Sequence, residues 1–199
     1  MATQAQLAAL QQGTYGASGE ILEWSYYDRA TLAAAGTDIS LFQNPIGSTA
    51  AAKTLADTNM TSPGSIPQGQ NFKVRAIRAE YGSHASKASA DIDTLYNWML
   101  SANIRVFITG KDALFSKPLT EVMGIPLLWH TVPTVAGNNE IISSFGRFNG
   151  VSPLNIPIIL AALTPFEVRL SFPTALGGGS TLIGDFVKVS LLGILTRAS

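Results

Sequence analysis

Apolar and polar residues alternate strictly in two segments near the end of the chain. In "FEVRLSF" (166–172) the even-numbered positions are apolar and the odd-numbered ones are polar; in "DFVKVSLLGILTR" (185–197), Val187, Val189 and Leu191 alternate with Lys188 and Ser190. A period of two predicts strands with one face in a core. The residues predicted to be buried are Phe166, Val168, Leu170, Phe172, Val187, Val189 and Leu191. We interpret the uncharged residues 154–165 as an apolar connection steered by Pro157 and Pro165, and Pro173 as the end of the strand.

Shorter segments of the same kind predict further strands. They lie at 22–27, 37–44, 104–110, 112–119, 125–132 and 141–148. The 18 glycines and 10 prolines favour many short elements, and we expect eight to ten strands in all. Residues 45–71 are polar and rich in turn residues, so they predict a long surface loop.

The segment "NFKVRAIRAEY" (71–81) changes the parity of its apolar positions part-way along. Phe72, Val74 and Ala76 share one face, and Ile77, Ala79 and Tyr81 take the other parity. One extra residue near Ala76 would return the second set to the inner face. The sequence therefore predicts a strand with a β-bulge.

Helical spacing occurs clearly once, in "ADIDTLYNWMLSA" (90–102). Its apolar positions follow the i, i+3, i+4, i+7, i+8 pattern of one buried stripe, and Ser89 or Asp91 can cap its start. The stripe consists of Ile92, Leu95, Tyr96, Met99 and Leu100.

Many strands with almost no helices between them predict a mainly β fold. Long loops between strands that pair across two sheets favour an antiparallel jelly-roll β-sandwich with one short helix between strands. An immunoglobulin-like fold fits this length and this helix less well. We expect residues 1–19 to form an N-terminal extension and residues 20–199 a single domain.

Charge is scarce in this chain of 199 residues. Charged residues make up 13% and hydrophobic ones 46%, whereas a typical soluble domain has about 25% charged residues. Much of the surface is therefore expected to meet other protein. Basic and acidic residues balance at 13 each, and the first basic residue is Arg29, so no basic arm is available to bind a genome. We expect no direct sequence-specific nucleic-acid partner, and the start of the chain does not resemble a signal peptide.

Residues for catalysis or metal binding are few. There is no cysteine, and the two histidines are His84, beside Ser83 in a polar loop, and His130, at the end of an apolar strand. Asp91 and Asp93 would point apart on a helix. The glycine-rich segments lack the context of a phosphate-binding loop. We predict no catalytic, cofactor-binding or metal residue, no cofactor, and no enzyme activity.

Several phrases of the sequence resemble a known family. "LNIPI" leading into "FEVRLSFP", the closing "FVKVSLLGILTR", "IPQGQNF" after a polar loop, and "NWMLSANIRVFITGKDALFSKPL" are similar to jelly-roll major capsid proteins of tailless icosahedral bacteriophages, particularly the small membrane-containing ones. The resemblance covers roughly residues 37–197. It implies a structural protein of the virion that self-assembles into an icosahedral shell, with no catalytic residues.

The same resemblance implies partners and a location. The partners would be copies of the chain itself, other capsid proteins and a viral membrane under the shell. The location would be the capsid, and the host cytoplasm during assembly.

Two alternatives remain open. A carbohydrate-binding jelly roll, lectin-like or receptor-binding, would use exposed aromatic residues, and the candidates are Trp24, Tyr26, Tyr27, Trp98 and Trp129. An enzyme on a β scaffold is the other, which the thin catalytic inventory disfavours. A basic strand face with Lys73, Arg75 and Arg78 near Tyr81 could bind nucleic acid, but we interpret it as a solvated sheet face.

Overall fold

The computed structural model describes residues 19–34, 36–49, 52–82, 97–109, 113–123, 129–133, 139–143, 150–178, 180 and 182–198. Within these residues there are ten strands and two short helical segments. The strands are β1 (Gly19–Thr31), β2 (Asp38–Leu41), β3 (Gln70–Gly82), β4 (Asn103–Ile108), β5 (Phe115–Pro118), β6 (Trp129–Pro133), β7 (Asn139–Ser143), β8 (Val151–Leu160), β9 (Phe166–Ser171) and β10 (Phe186–Ala198). The helical segments are α1 (97–101) and α2 (Leu119–Met123).

The strands form two four-stranded antiparallel sheets, as the prediction of a mainly β fold requires. Sheet A has the order β1-β10-β3-β8, sheet B has the order β2-β9-β4-β5, and β6 pairs with β7. Four of the pairings are nested along the chain: β1 with β10, β2 with β9, β3 with β8, and β4 with β5. The chain therefore runs out through β1, β2, β3 and β4 and returns through β5, β8, β9 and β10. Each returning strand pairs with an outgoing one while the chain moves between the two sheets.

Buried apolar residues of both sheets form one hydrophobic cluster. The predicted inner faces of β9 and β10 are confirmed, because every apolar residue named for them is buried. In β9 the charged residues Glu167 and Arg169 alternate with them on the other face. Phe172, just after β9, stacks on Trp98 of α1 with ring centroids 3.6 Å apart. Complete burial of a side chain of this size stabilises the fold by about 1.5–3 kcal/mol.

The predicted bulge in β3 is confirmed and lies at Arg75. Ala76 pairs with Leu192 and Val74 with Gly193, so Arg75 has no partner on β10. On the β8 side, Val74 pairs with Ile158 and Ala76 pairs with Pro153. Residues 154–157 of β8 therefore have no partner on β3, and they arch past Arg75. The bulge returns Ile77 and Ala79 to the buried face, as the change of parity predicts. It also draws two backbones close together: a Cβ on Gly193 would overlap the Lys73 carbonyl oxygen.

The interpretation of residues 154–165 as a connection is wrong for its first half. Residues 151–160 form β8, the outermost strand of sheet A beside β3. Pro153 and Pro157 are compatible with this strand because an edge strand leaves one row of backbone N–H groups unused. The link to β9 is only residues 161–165.

Two smaller predictions need correction. Met99 of the predicted helical stripe is buried, but Leu100 is 47% exposed, because the buried face is centred on Trp98, Met99 and Ala102. The rest of that stripe and both proposed caps lie outside the described residues. The described residues of the predicted loop 45–71 form no strand before Gln70, yet Met60 and Ile66 among them are fully buried, so the loop belongs partly to the core.

Candidate assembly surfaces

Large apolar side chains are exposed mainly at the two edges of sheet A. Nine of them are exposed among the described residues. Three lie in or beside β1, four lie in β8 or the turn after it, and the remaining two are Leu100 and Leu114. Trp24 lies in β1, with Ile46 and Leu55 beside it; those at β8 are Val151, Ile156, Ile159 and Leu163. The clustering makes these edges the main candidates for contacts with a partner.

The edge of β1 is partly covered by the loop that follows β2. Asn59 substitutes for a neighbouring strand, because its Nδ2 donates to the Ser25 carbonyl at 2.7 Å and its Oδ1 accepts from the Tyr27 amide at 2.9 Å. The Thr58 hydroxyl donates to the Tyr27 carbonyl at 3.0 Å. Side chains thus complete the hydrogen bonding of β1 over residues 25–27.

A buried charge fixes the same loop to β1. Asp28 is fully buried, and its Oδ1 accepts a hydrogen bond from Lys53 Nζ at 2.6 Å. Its Oδ2 accepts from the Phe42 amide, also at 2.6 Å. Asp28 therefore joins β1, the residue after β2 and the loop. At the surface nearby, Arg29 contacts Asp57 at 2.7 Å. The Thr54 amide, which donates to Asp57, holds the pKa of that carboxyl below its ordinary value, and Arg29 acts in the same direction.

Between β1 and this loop lies a concavity of about 750 Å³, which we call the β1 groove. It is lined by Glu23, Trp24, Ser25, Tyr27, Ile46, Leu55, Asn59, Thr61, Leu192 and Gly193. Several of its polar groups already have partners: both ends of the Asn59 amide bond β1, and the Tyr27 hydroxyl donates to the Leu55 carbonyl at 2.6 Å. The groove therefore offers mostly apolar surface.

The opposite edge of the sheet carries what we call the β8 patch: Val151, Ile156, Ile159 and Leu163. Ile156 is 84% exposed, which is extreme for an isoleucine in a strand. No charged residue occurs between Gly150 and Pro165. Ile159 pairs with Lys73 of β3 and shares its outward face. The patch is thus a neutral, apolar strand edge interrupted by two prolines.

Unpaired charges of opposite sign accompany the two surfaces. Glu23, in the lining of the β1 groove, makes no ion pair with any described residue, and the same holds for Lys73 and Arg75 beside the β8 patch. Arg78, further along β3, is paired with Glu80. The groove is therefore acidic at its rim, whereas the patch is flanked by cations.

The outward face of β9 differs in having its charges paired. Arg169 donates from Nε and from Nη2 to the two carboxylate oxygens of Glu167, each at 3.0 Å, and the Ser40 hydroxyl donates to Glu167 at 2.6 Å. The hydrogen bonds from Arg169 hold the pKa of Glu167 below its ordinary value, and Ser40 adds to the effect. Arg169 also lies over the Phe107 ring at 4.9 Å. The charged residues Glu167 and Arg169 on this face therefore find their partners within the chain.

The residues considered for chemistry are not brought together by the described structure. Ser83, His84, Asp91 and Asp93 are not among the described residues. His130 belongs to β6, but only its backbone is described. In the described part of the chain no group of three or more His, Cys, Asp or Glu residues could hold a metal ion. None of its helices has the length and apolar character needed to cross a bilayer.

The aromatic residues considered for carbohydrate binding separate into two groups. Tyr26 and Trp98 are buried, so they are packing residues. Trp24 is 38% exposed and lines the β1 groove together with Tyr27. Trp129 lies in β6 with its side chain outside the described structure.

The basic strand face lies where it was predicted, with Arg75 and Arg78 exposed on β3. Sequence reasoning missed the β1 groove, because Ile46, Leu55 and Asn59 are isolated residues in a polar loop. It identified the uncharged residues 154–165 but not that part of them is exposed.

No protein-family model matches this chain, and no curated protein is significantly similar to it.

Proposed function

We propose that this chain is a capsid subunit of a virus, a jelly-roll sandwich that self-assembles into an icosahedral shell. The observation that carries the proposal is the pair of apolar surfaces at opposite edges of sheet A. A monomer that keeps its charges at 13% and groups its exposed apolar residues in this way gains from burying them against further protein. Many copies of one chain, joined by closed symmetry, provide such burial without leaving a growing end.

The strand pairing supports the jelly-roll part of the proposal. A jelly roll places eight strands in two sheets through two Greek keys. The nested pairs β1–β10, β2–β9, β3–β8 and β4–β5 follow from folding one long hairpin across two sheets. The pair β6–β7 is then an insertion between two strands of this framework. Such a framework is rigid, and its edge strands and loops can make different contacts with neighbouring proteins.

Partners other than copies of the chain follow from the resemblance of its sequence to phage coat proteins. Other capsid proteins would complete the shell, and a membrane would lie beneath it, so the protein would reside in the virion. The balance of charges and the ion pair of Arg78 with Glu80 agree with a shell that leaves genome binding to other components.

A carbohydrate-binding role is the second candidate, since Trp24 and Tyr27 line one groove. Sugar sites combine an aromatic surface with free polar groups. Here the Asn59 amide and the Tyr27 hydroxyl already bond the protein itself. The groove has few polar groups left to select a sugar, which favours a protein contact. Binding of a glycan in an array screen, reduced by Trp24→Ala, would reverse this preference.

Sedimentation velocity and negative-stain microscopy of the purified protein test the proposal. We expect closed particles, or ring-shaped intermediates, whose amount rises steeply with concentration. A version that lacks residues 1–18 but keeps Gly19, where β1 begins, measures the contribution of the expected N-terminal extension. Both versions should assemble, the shorter one less well. A protein that stays monomeric at high concentration in both versions would refute the capsid role.

A further inference from the structure

We propose that the β8 patch of one copy docks into the β1 groove of the next copy. The inference deepens the proposed function and rests on it, since it names the surfaces that join subunits. The occupant of the groove is a second copy of this chain. Both surfaces are apolar, one being concave and the other a strand edge with Ile156 almost fully exposed. The groove, at about 750 Å³, has room for several aliphatic side chains.

Electrostatic complementarity selects this pairing over contact of either surface with itself. The groove brings the carboxylate of Glu23, and β3, beside the patch, brings the cations of Lys73 and Arg75; none of the three makes an ion pair with a described residue. Groove against groove would place two carboxylates together, and patch against patch would gather four cations. Like charges facing each other across an interface are unfavourable, whereas opposite charges set the register.

The positions of the surfaces make the contact directional. They lie on the two outermost strands of one sheet, about 14 Å apart across three strand spacings. A copy bound at the groove therefore still offers its own groove to a third copy. Such head-to-tail contacts generate a ring when the rotation closes, which is the arrangement a shell requires at its symmetry axes.

The contact is made by side chains and not by adding a strand to the sheet. Pro153 and Pro157 have no backbone N–H group, and residues 154–157 arch at the β3 bulge, so β8 cannot continue the ladder regularly. On the other side, Asn59 already occupies the hydrogen-bonding groups of β1 at residues 25–27. Specificity must therefore come from Ile156 and Ile159 filling the groove.

Complementary variants test the direction of the contact under conditions in which the wild-type protein assembles. Ile156→Asp damages the patch and Leu55→Asp damages the groove; both side chains are well exposed, so each variant should fold. We expect each alone to need at least about a tenfold higher concentration to associate. A mixture of the two retains one intact patch and one intact groove, and should form a one-to-one complex that grows no further. Leu114→Asp, on an exposed leucine elsewhere, is the matched control and should assemble normally.

A charge exchange tests the register. Glu23→Lys and Arg75→Glu should each weaken association, and the double variant should recover most of the loss. Unchanged assembly of both Asp variants, or a mixture that stays monomeric, would overturn this contact while leaving the capsid role in place. A lack of recovery in the charge exchange would also count against it. A wild-type protein that never assembles would overturn the capsid role, and this contact with it.

Discussion

Strands β8 and β9 follow each other in sequence and are both rich in apolar residues, yet they use those residues in opposite ways. In β9 the apolar side chains are buried, and the outward residues Glu167 and Arg169 are charged and paired. In β8 only Ser152, Ile158 and Leu160 are buried, and isoleucine side chains point to solvent with no charge among them.

The difference separates an outer strand face that carries polar residues from one that exposes apolar residues to water. A strand that faces water needs polar residues on its outer face, and β9 has them. The outer face of β8 would be costly for a free monomer, because exposed apolar strand edges promote association. Apolar content alone therefore says little about burial. The residues that alternate with the apolar ones are more informative.

The largest expected effect comes from placing the same charge in both strands. Leu170→Asp puts an unpaired carboxylate into the interior of β9, at a cost of several kcal/mol, so the protein should be largely unfolded. Ile156→Asp should leave the free energy of unfolding within about 0.5 kcal/mol of wild type, since the side chain is exposed. Circular dichroism and urea denaturation measure both. A folded Leu170→Asp protein at wild-type yield would contradict the assignment of the β9 face.

An intermediate effect is expected at the other edge of sheet A. Asn59→Ala removes both hydrogen bonds that complete β1 and should reduce the free energy of unfolding by about 1–3 kcal/mol. Thr61→Ala is the control, because Thr61 lines the same groove, is exposed and makes no side-chain hydrogen bond with a described residue. Equal stability of the two variants in urea would mean that water replaces Asn59 without loss.

The smallest effect concerns the charged face of β9 and depends on pH. The pKa of Glu167 is lowered in the folded protein, so its ion pair adds stability above the ordinary pKa of 4.5. That contribution is lost as the pH falls through the lower folded value. For a partly exposed pair it amounts to roughly 0.2–1 kcal/mol. Urea midpoints of wild type and Glu167→Gln should differ at pH 7 and converge as the pH is lowered through the folded pKa. A difference of the same size at every pH would assign the effect to packing.

Much of the fold could be predicted because alternation reports directly on burial. The inner faces of β9 and β10 follow from period two, and the bulge in β3 follows from a change of parity between Ala76 and Ile77. The prolines misled the interpretation of β8. Pro157 excludes a central strand, but it does not exclude an edge strand, and only the pairing with β3 distinguishes a strand from a connection.

The candidate surfaces could be predicted only in part. Low charge predicts that some surface meets protein, which stays a prediction, and it does not indicate which part. The β1 groove depends on Leu55 and Asn59, which come from a loop without periodicity and reach β1 only after the chain has folded. The exposure of Leu100 was not predicted either. The predicted stripe includes Met99 and Leu100, whereas the buried face is shifted by about one residue and includes Trp98 and Met99.

The bulge at Arg75 also has a consequence for changes in chain length. Deletion of Arg75 would bring Phe72, Val74, Ile77 and Ala79 into unbroken alternation, with the same apolar residues facing inward. The interior therefore has no need of the additional residue. What the insertion contributes is one outward cation, held beside the arch of residues 154–157. A relative that lacked it would keep this core and lose a charge at the β8 edge, so under the proposed docking a length difference here would alter the contact between copies and leave the fold unchanged.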